Sequence, residues 1–158
     1  QGSGAARCHA RGALPDPVCT PGAFNPAVTA ATLAQTVCRA GWTATIRPPV
    51  SYTEALKRQQ MAAYGLTAPI GTRVEDHVVP LEAGGDPTSP ANLWPEDRRE
   101  SLVKDQAEAA VNRAICQGRV SLVDGQRLMA TDWTAAYRRF VGPLPATEAL
   151  ATAPGTTP

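Results

Sequence analysis

Residues 75–96, EDHVVPLEAGGDPTSPANLWPE, gather the side chains of this chain best suited to chemistry. His77, one of only two histidines, directly follows the carboxylates Glu75 and Asp76. A double glycine, Gly84-Gly85, comes next, and Asn92 stands a short loop further on. Histidine titrates near neutrality and can take a proton from water. Aspartate supplies the hard oxygen that Mg²⁺ or Mn²⁺ prefers to a softer ligand. An amide can fix the groups around an imidazole. Together these parts suit metal-assisted cleavage of a phosphodiester, in which a cation neutralises the scissile phosphate and the leaving oxygen. Asp76 would then serve the cation, His77 would be the general base and Asn92 the organiser. A second oxygen ligand must come from elsewhere in the chain.

Adjacent residues of a strand point to opposite faces, so Asp76 and His77 address one cavity only where the strand twists, bulges or ends. RVEDHVVPL reads as a short strand, because Val74, Val78 and Val79 suit a pleated surface and Pro80 ends it. EAGGDPTSPAN reads as loop, letting the chain reverse and bring Asn92 back beside His77 through a strand remnant. A helix is predicted from Asp97 to about Cys116, with Val103, Ala107, Ala110, Val111 and Ala114 at helical steps and Gly118 as the stop. That helix can lay a carboxylate across the cleft.

Three more helices are predicted around this unit. FNPAVTAATLAQTVCRAG has Asn25 as cap and Pro26 at the first helical position, and TATIRPPV after it reads as extended. SYTEALKRQQMAAYG carries a Ser51–Glu54 capping box and ends at Gly65. SLVDGQRLMATDWTAAYRRF reads as one helix capped by Ser121 and Asp124, burying Leu122, Met129, Trp133, Ala136, Tyr137 and Phe140. The expected class is α+β and mainly helical: a short β-hairpin plus helix with flanking helices, disulfide-braced. Residues 1–25 read as an irregular arm held by a disulfide, 26–141 as the domain, and 142–158 as an Ala/Thr/Pro-rich flexible tail.

At 158 residues the chain is long enough for one domain with its own core. A net charge of +1 excludes coating of nucleic acid by charge alone, so any such contact must come from a local cluster. No apolar run approaches a membrane span, and no membrane partner is expected. The start at Gln1 suggests a chain processed or cloned without its export signal. Cys8, Cys19, Cys38 and Cys116 lack the close pairs of a zinc site and read as two disulfides of an oxidising compartment. Three connectivities are possible and sequence does not choose among them. The reading adopted pairs Cys8 with Cys19, closing the arm, and Cys38 with Cys116, joining two predicted helices; four free thiols are the alternative.

The pattern DHVVPLEAGG…NLWPE resembles the core of the His-Asn-His endonuclease superfamily, whose ββα-metal fold sets a hairpin and a helix around one cation. More narrowly, CTPGAFNP, TVC, RPPVSYTEALKRQQMAAYG, EDHVVPLEAGG, NLWPE and KDQAE together resemble a group of exported bacterial proteins of this type. The resemblance implies that His77 is the general base, Asp76 the metal ligand before it, and Asn92 the central asparagine, which often supports the loop. Where superfamily members carry a helical His or Asn, no histidine follows His77 here. Asp105 stands where some members place a metal-binding histidine, with Glu100 and Glu108 as fallbacks. The oxygen-rich set implies Mg²⁺ or Mn²⁺ over Zn²⁺. The zinc-binding CxxC pairs of many members are missing, a bracing role that Cys38–Cys116 could take over.

Glu75 and Glu82 are candidates for further metal ligands or hydrogen bonds around the centre, with solvated acids as the plain alternative. Trp94 is expected beneath the hairpin rather than stacked on a base. Arg98, Arg99, Lys104, Lys57 and Arg58 are candidates for a phosphate-binding rim, a solvated helix face being the competing reading for Lys57 and Arg58 and a pairing with Glu100 or Glu108 that for Lys104. The expected function is an exported nuclease acting as a monomer on DNA, or on RNA, with little sequence specificity. One alternative is an inactive domain of the same frame serving the cell envelope or a partner. Another is a toxin, whose partner would be a cognate immunity protein.

Overall fold

The computed structural model describes residues 6–146; the first residues of the predicted arm and most of the predicted tail lie outside them. The described chain is α+β and about half helical, with one two-stranded antiparallel hairpin. Helices α1 (Trp42–Ile46) and α2 (Val50–Ala63) come first. Strand β1 (Arg73–His77) pairs with β2 (Leu93–Asp97), which runs straight into α3 (Arg98–Cys116). Helices α4 (Leu122–Thr131) and α5 (Trp133–Phe140) close the domain. Among the described residues, no helix is long and apolar enough to cross a membrane.

The main core lies where α3, α4 and α5 meet. Ala107, Val111 and Ala114 face Met129, Trp133, Ala136 and Tyr137, with Val28, Val37 and Trp42 packed over them. Small residues on α3 let the larger side chains of α5 approach closely. The predicted stripe of the last helices is buried except for Phe140, which is half-buried against it. The arm joins this core: Ala13 and Leu14 are buried, and the Trp133 Nε1–H donates to the Ala13 carbonyl at 2.9 Å. A second cluster of Cys8, Tyr64, Val78 and Trp94 lies beyond the hairpin, with the Tyr64 and Trp94 rings 5.6 Å apart. Trp94 is therefore a packing residue.

Both disulfides pair as read, Cys8–Cys19 and Cys38–Cys116. The second spans 78 residues, so in the chain-entropy account it removes about 4–5 kcal/mol of unfolded-state freedom. It ties the end of α3 to the segment before α1.

Several predicted elements are corrected. The helix expected from Pro26 shrinks to a 3₁₀ turn, Ala30–Gln35. The Asn25 carboxamide oxygen accepts the Ala27 N–H as a local turn, while Thr29, Thr32 and Thr36 bond backbone groups that a helix would need. TATIRPPV is not extended throughout, because Thr43–Ile46 belong to α1 and the chain straightens only from Arg47. The box at Ser51 does not form: α2 starts at Val50 after Pro49, which has no capping side chain. The single helix predicted from Leu122 is two, broken at Asp132, whose extended backbone lets its carboxylate accept the Thr134 and Ala135 N–H groups. Capping chemistry beats helical periodicity there.

Candidate functional site

The loop joining β1 to β2 is built around Asn92, which is fully buried. Its Oδ1 accepts the N–H of Val79 at 2.9 Å and of Ala23 at 3.2 Å, and its Nδ2 donates to the carbonyls of Val79 at 3.0 Å and Asp86 at 2.9 Å. All four hydrogen-bonding positions of the amide are spent on backbone. Asn92 is thus a positioning residue for the loop. The double glycine serves the same hub. A Cβ on Gly85 would stand 1.8 Å from the Val79 carbonyl oxygen, and one on Gly84, at φ +86°, would stand 2.6 Å from Gln126.

This hub delivers Pro87 to His77. The strand ends at His77, whose Nε2 lies 2.9 Å from the Pro87 carbonyl oxygen. A carbonyl only accepts, so Nε2 carries the proton and Nδ1 keeps its lone pair. Burial, more than any neighbour, holds the pKa of His77 below the ordinary histidine value, although the Pro87 bond and Asp76 oppose it. The ring is therefore neutral at pH 7, as a base must be.

Asp76 and His77 both line a surface cleft of about 520 Å³, together with Glu75, Glu82, Asp105 and Glu108. Strand neighbours Asp76 and His77 thus border one cleft because the strand ends there, and of the acids read as ligands all but Glu100 line it. Arg47, just after α1, lines it too. Sequence reasoning passed over Arg47, which sits in a stretch taken as a mere proline-stopped connection.

Beneath the cleft lies Lys104, 1 % exposed. Its ammonium donates to Asp76 Oδ2 at 2.7 Å, the His77 carbonyl at 2.7 Å and Glu108 Oε2 at 2.6 Å. Burial alone would strip its proton, but Asp76, Glu108 and Glu96 outweigh that and hold its pKa above the usual lysine value. Glu96 is the second residue that the sequence gave no reason to single out. Pairing of Val74 with Glu96 and of Asp76 with Trp94 puts Glu96 and Asp76 two positions apart along one face of the hairpin. Glu96 is fully buried, and no amide or ammonium donor reaches its oxygens. Burial first, and then Asp76, raise its pKa well above the ordinary glutamate value.

The other acids are shifted the same way. Burial lifts Glu75 to about 8 against the pull of Lys57, and neither of its oxygens has a partner. Burial likewise lifts Glu108 to about 8 despite Lys104. Glu82 is raised by burial and then by Asp105, and Asp105 by burial and then by Asp76. Glu100 stands apart, buried in the first turn of α3 near Asp97 and Arg73, where burial lifts it to about 7; it does not line the cleft.

The predicted phosphate rim is corrected. Lys57 is buried, pairs with Glu54 at 2.8 Å and donates to the Arg73 carbonyl at 3.0 Å, which fastens α2 to the hairpin. Lys104 is inside the domain. Arg98 and Arg99 are exposed, but Arg98 reaches the Gly71 carbonyl and Arg99 pairs with Asp97. Arg58 is exposed on α2, and none of the five lines the cleft.

Among the described residues, no three His, Cys, Asp or Glu side chains are gathered to hold a metal ion as they stand. Lys104 already takes one oxygen of Asp76 and one of Glu108. What fits a cation is the chemistry of the donor set: hard oxygens in excess, several with pKa values raised chiefly by burial, including two orphaned oxygens on Glu75. Comparison with family models, with curated proteins and with solved structures finds no match to this chain.

Proposed function

We propose that this protein is an exported, metal-dependent nuclease that hydrolyses phosphodiester bonds in DNA, or RNA, with low sequence specificity. One observation carries the reading: a neutral histidine, its tautomer set by the Pro87 carbonyl, lines the same cleft as Asp76, Glu82 and Asp105. The hairpin running directly into α3 has the element order of a ββα-metal frame, and the two disulfides suit an exported protein. The oxygen of Asp76 not held by Lys104, with Asp105 and Glu82, would hold Mg²⁺ or Mn²⁺. A bound divalent cation supplies charge neutralisation at the phosphate. His77 takes the proton of the attacking water at Nδ1, Pro87 keeps the ring aimed, and Arg47 offers the incoming phosphate a positive partner. Lys104 pins Asp76 and the end of β1 so that base and acids keep their spacing.

A second reading is favoured by the same lysine. An ammonium between Asp76 and Glu108 is a built-in cation, and a frame so neutralised could persist as a binding module without activity. Plasmid degradation separates the two. The nuclease reading expects cleavage with Mg²⁺ or Mn²⁺, none with EDTA, and a loss of about 100-fold or more in His77→Ala with an unchanged circular dichroism spectrum. Intact plasmid with every divalent ion tried, from well-folded protein, would leave the binding module.

A further inference from the structure

A second depression, of about 390 Å³, continues the catalytic cleft, and Thr43 and Glu82 line both. Its walls carry Arg39 and Arg113 on either side of the Cys38–Cys116 disulfide. Both guanidinium groups belong to exposed residues, and neither enters a salt bridge among the described residues. Glu82 at the junction lies within the fields of both Arg47 and Arg113, so positive charge flanks it on two sides. The floor is rigid: the Asn112 side-chain amide donates to the Val37 carbonyl at 3.0 Å and to the Glu82 carbonyl at 2.6 Å. The disulfide clamps the Arg39 segment onto the last turn of α3, with Cα atoms 5.7 Å apart.

We infer that Arg39 and Arg113 form a phosphate clamp that grips the nucleic-acid strand beside the bond to be cut. The inference rests on the nuclease reading and adds the direction in which the strand leaves the acidic centre. Asp105 and Arg113 both lie on α3, and the eight residue steps from one to the other rise about 12 Å. At the 3.4 Å rise of a duplex strand, that is about three to four nucleotides. Such a clamp answers an electrostatic difficulty of the cleft, whose acids repel a polyanion wherever they are ionised and neither Lys104 nor a bound cation offsets them. Two planar guanidiniums a few nucleotides away hold the backbone by bidentate contacts without competing for the centre. The disulfide thereby sets the gap between the two arginines.

The clamp is tested by fluorescence anisotropy with a labelled 20-nucleotide single strand in Mg²⁺, using His77→Ala protein so that the probe survives. Adding Arg39→Ser and Arg113→Ser should weaken binding about 5- to 20-fold at 100 mM salt and lower the slope of log K against log salt by about 1.4, two phosphates at about 0.7 each. Arg127→Ser, on an exposed position of α4 outside both depressions, should leave both quantities unchanged. If wild-type protein cuts plasmid while the double substitution leaves affinity and slope intact, the clamp is overturned and the nuclease survives. If nothing is cut but the arginine-dependent slope remains, the two arginines hold nucleic acid without a bond to cut, and the nuclease reading falls together with the clamp's place beside a scissile bond. If wild-type protein neither cuts nor binds the strand, both fall.

Discussion

Two polar centres lie on either side of His77, and they are built on opposite principles. Around Asn92, every donor meets an acceptor: one amide joins Ala23, Val79 and Asp86, and the glycines bring backbone within contact of backbone. Around Asp76, carboxyls outnumber donors. Glu75 and Glu96 hold buried oxygens that no donor meets, and one ammonium serves Asp76 and Glu108 at once. A satisfied network rigidifies a fold and tolerates little change. A surplus of buried acid stabilises nothing by itself and is the usual mark of a site awaiting a partner. The first centre holds the base still; the second carries the chemistry proposed for it.

The largest effect that would sharpen this contrast is at the satisfied centre. Gly85→Ala drives a methyl into the Val79 carbonyl, and we expect a loss of about 4 kcal/mol or more, seen as a lower thermal midpoint that divalent ions do not restore. Next comes Lys104→Met, which abandons buried carboxylates and should cost about 3–5 kcal/mol. Here, unlike at Gly85, Mg²⁺ or Mn²⁺ should return a large part of the loss in a thermal melt. Equal insensitivity of both variants to divalent ions would erase the distinction between the two centres.

A smaller effect follows from pH. Acids whose folded pKa is raised bind protons more tightly when folded, so their stability is present at low pH and lost as pH rises through the folded value. His77, shifted down, acts in the opposite sense, but only as pH falls below about 6.5. Between pH 6.5 and 8 the acids decide, led by Glu75 and Glu108 at about 8. Without divalent ions, stability should fall across that window by about 2 kcal/mol, or roughly 4–8 °C in midpoint. A flat profile would mean that the acids are not crowded as described.

The smallest expected signal is a proton count. Binding of Mg²⁺ at pH 7 should release up to about one proton, because carboxyls with raised pKa must ionise to meet a cation. Calorimetry in two buffers of different ionisation enthalpy reads that number. Glu75→Gln and Glu108→Gln together should reduce it.

Much of the hairpin and of α3 was legible because its signals are local. Gly84-Gly85 and Asn92 dictate a reversal and a return, while the Asp97 cap and Gly118 bracket the helix; the strand itself ends at His77 and not at Pro80, leaving Val78 and Val79 outside it. The segment from Asn25 to Ile46 was misread because its threonines bond backbone in a way no apolar period reveals. Within the site, the convergence of Asp76, His77 and Asp105 followed from the order of elements. The pairing of Lys104 with Glu108 was open to the helical spacing, but its burial and its bond to Asp76 were not, since nothing local distinguishes it from a lysine on a solvated face. Glu96 was equally silent, being one acid in a short strand whose burial depends on what covers it.

By itself, the sequence determined the chemical inventory and the β-turn-β-α order, because capping, chain reversal and periodicity act over a few residues. Tertiary structure alone decided which charges lie inside: Lys57 and Lys104 became internal struts, Glu96 a fully buried acid, and Arg39, Arg47 and Arg113 exposed residues lining the two depressions. Burial and the resulting pKa shifts are properties of surroundings assembled from distant segments, and a residue's sequence neighbours do not contain them.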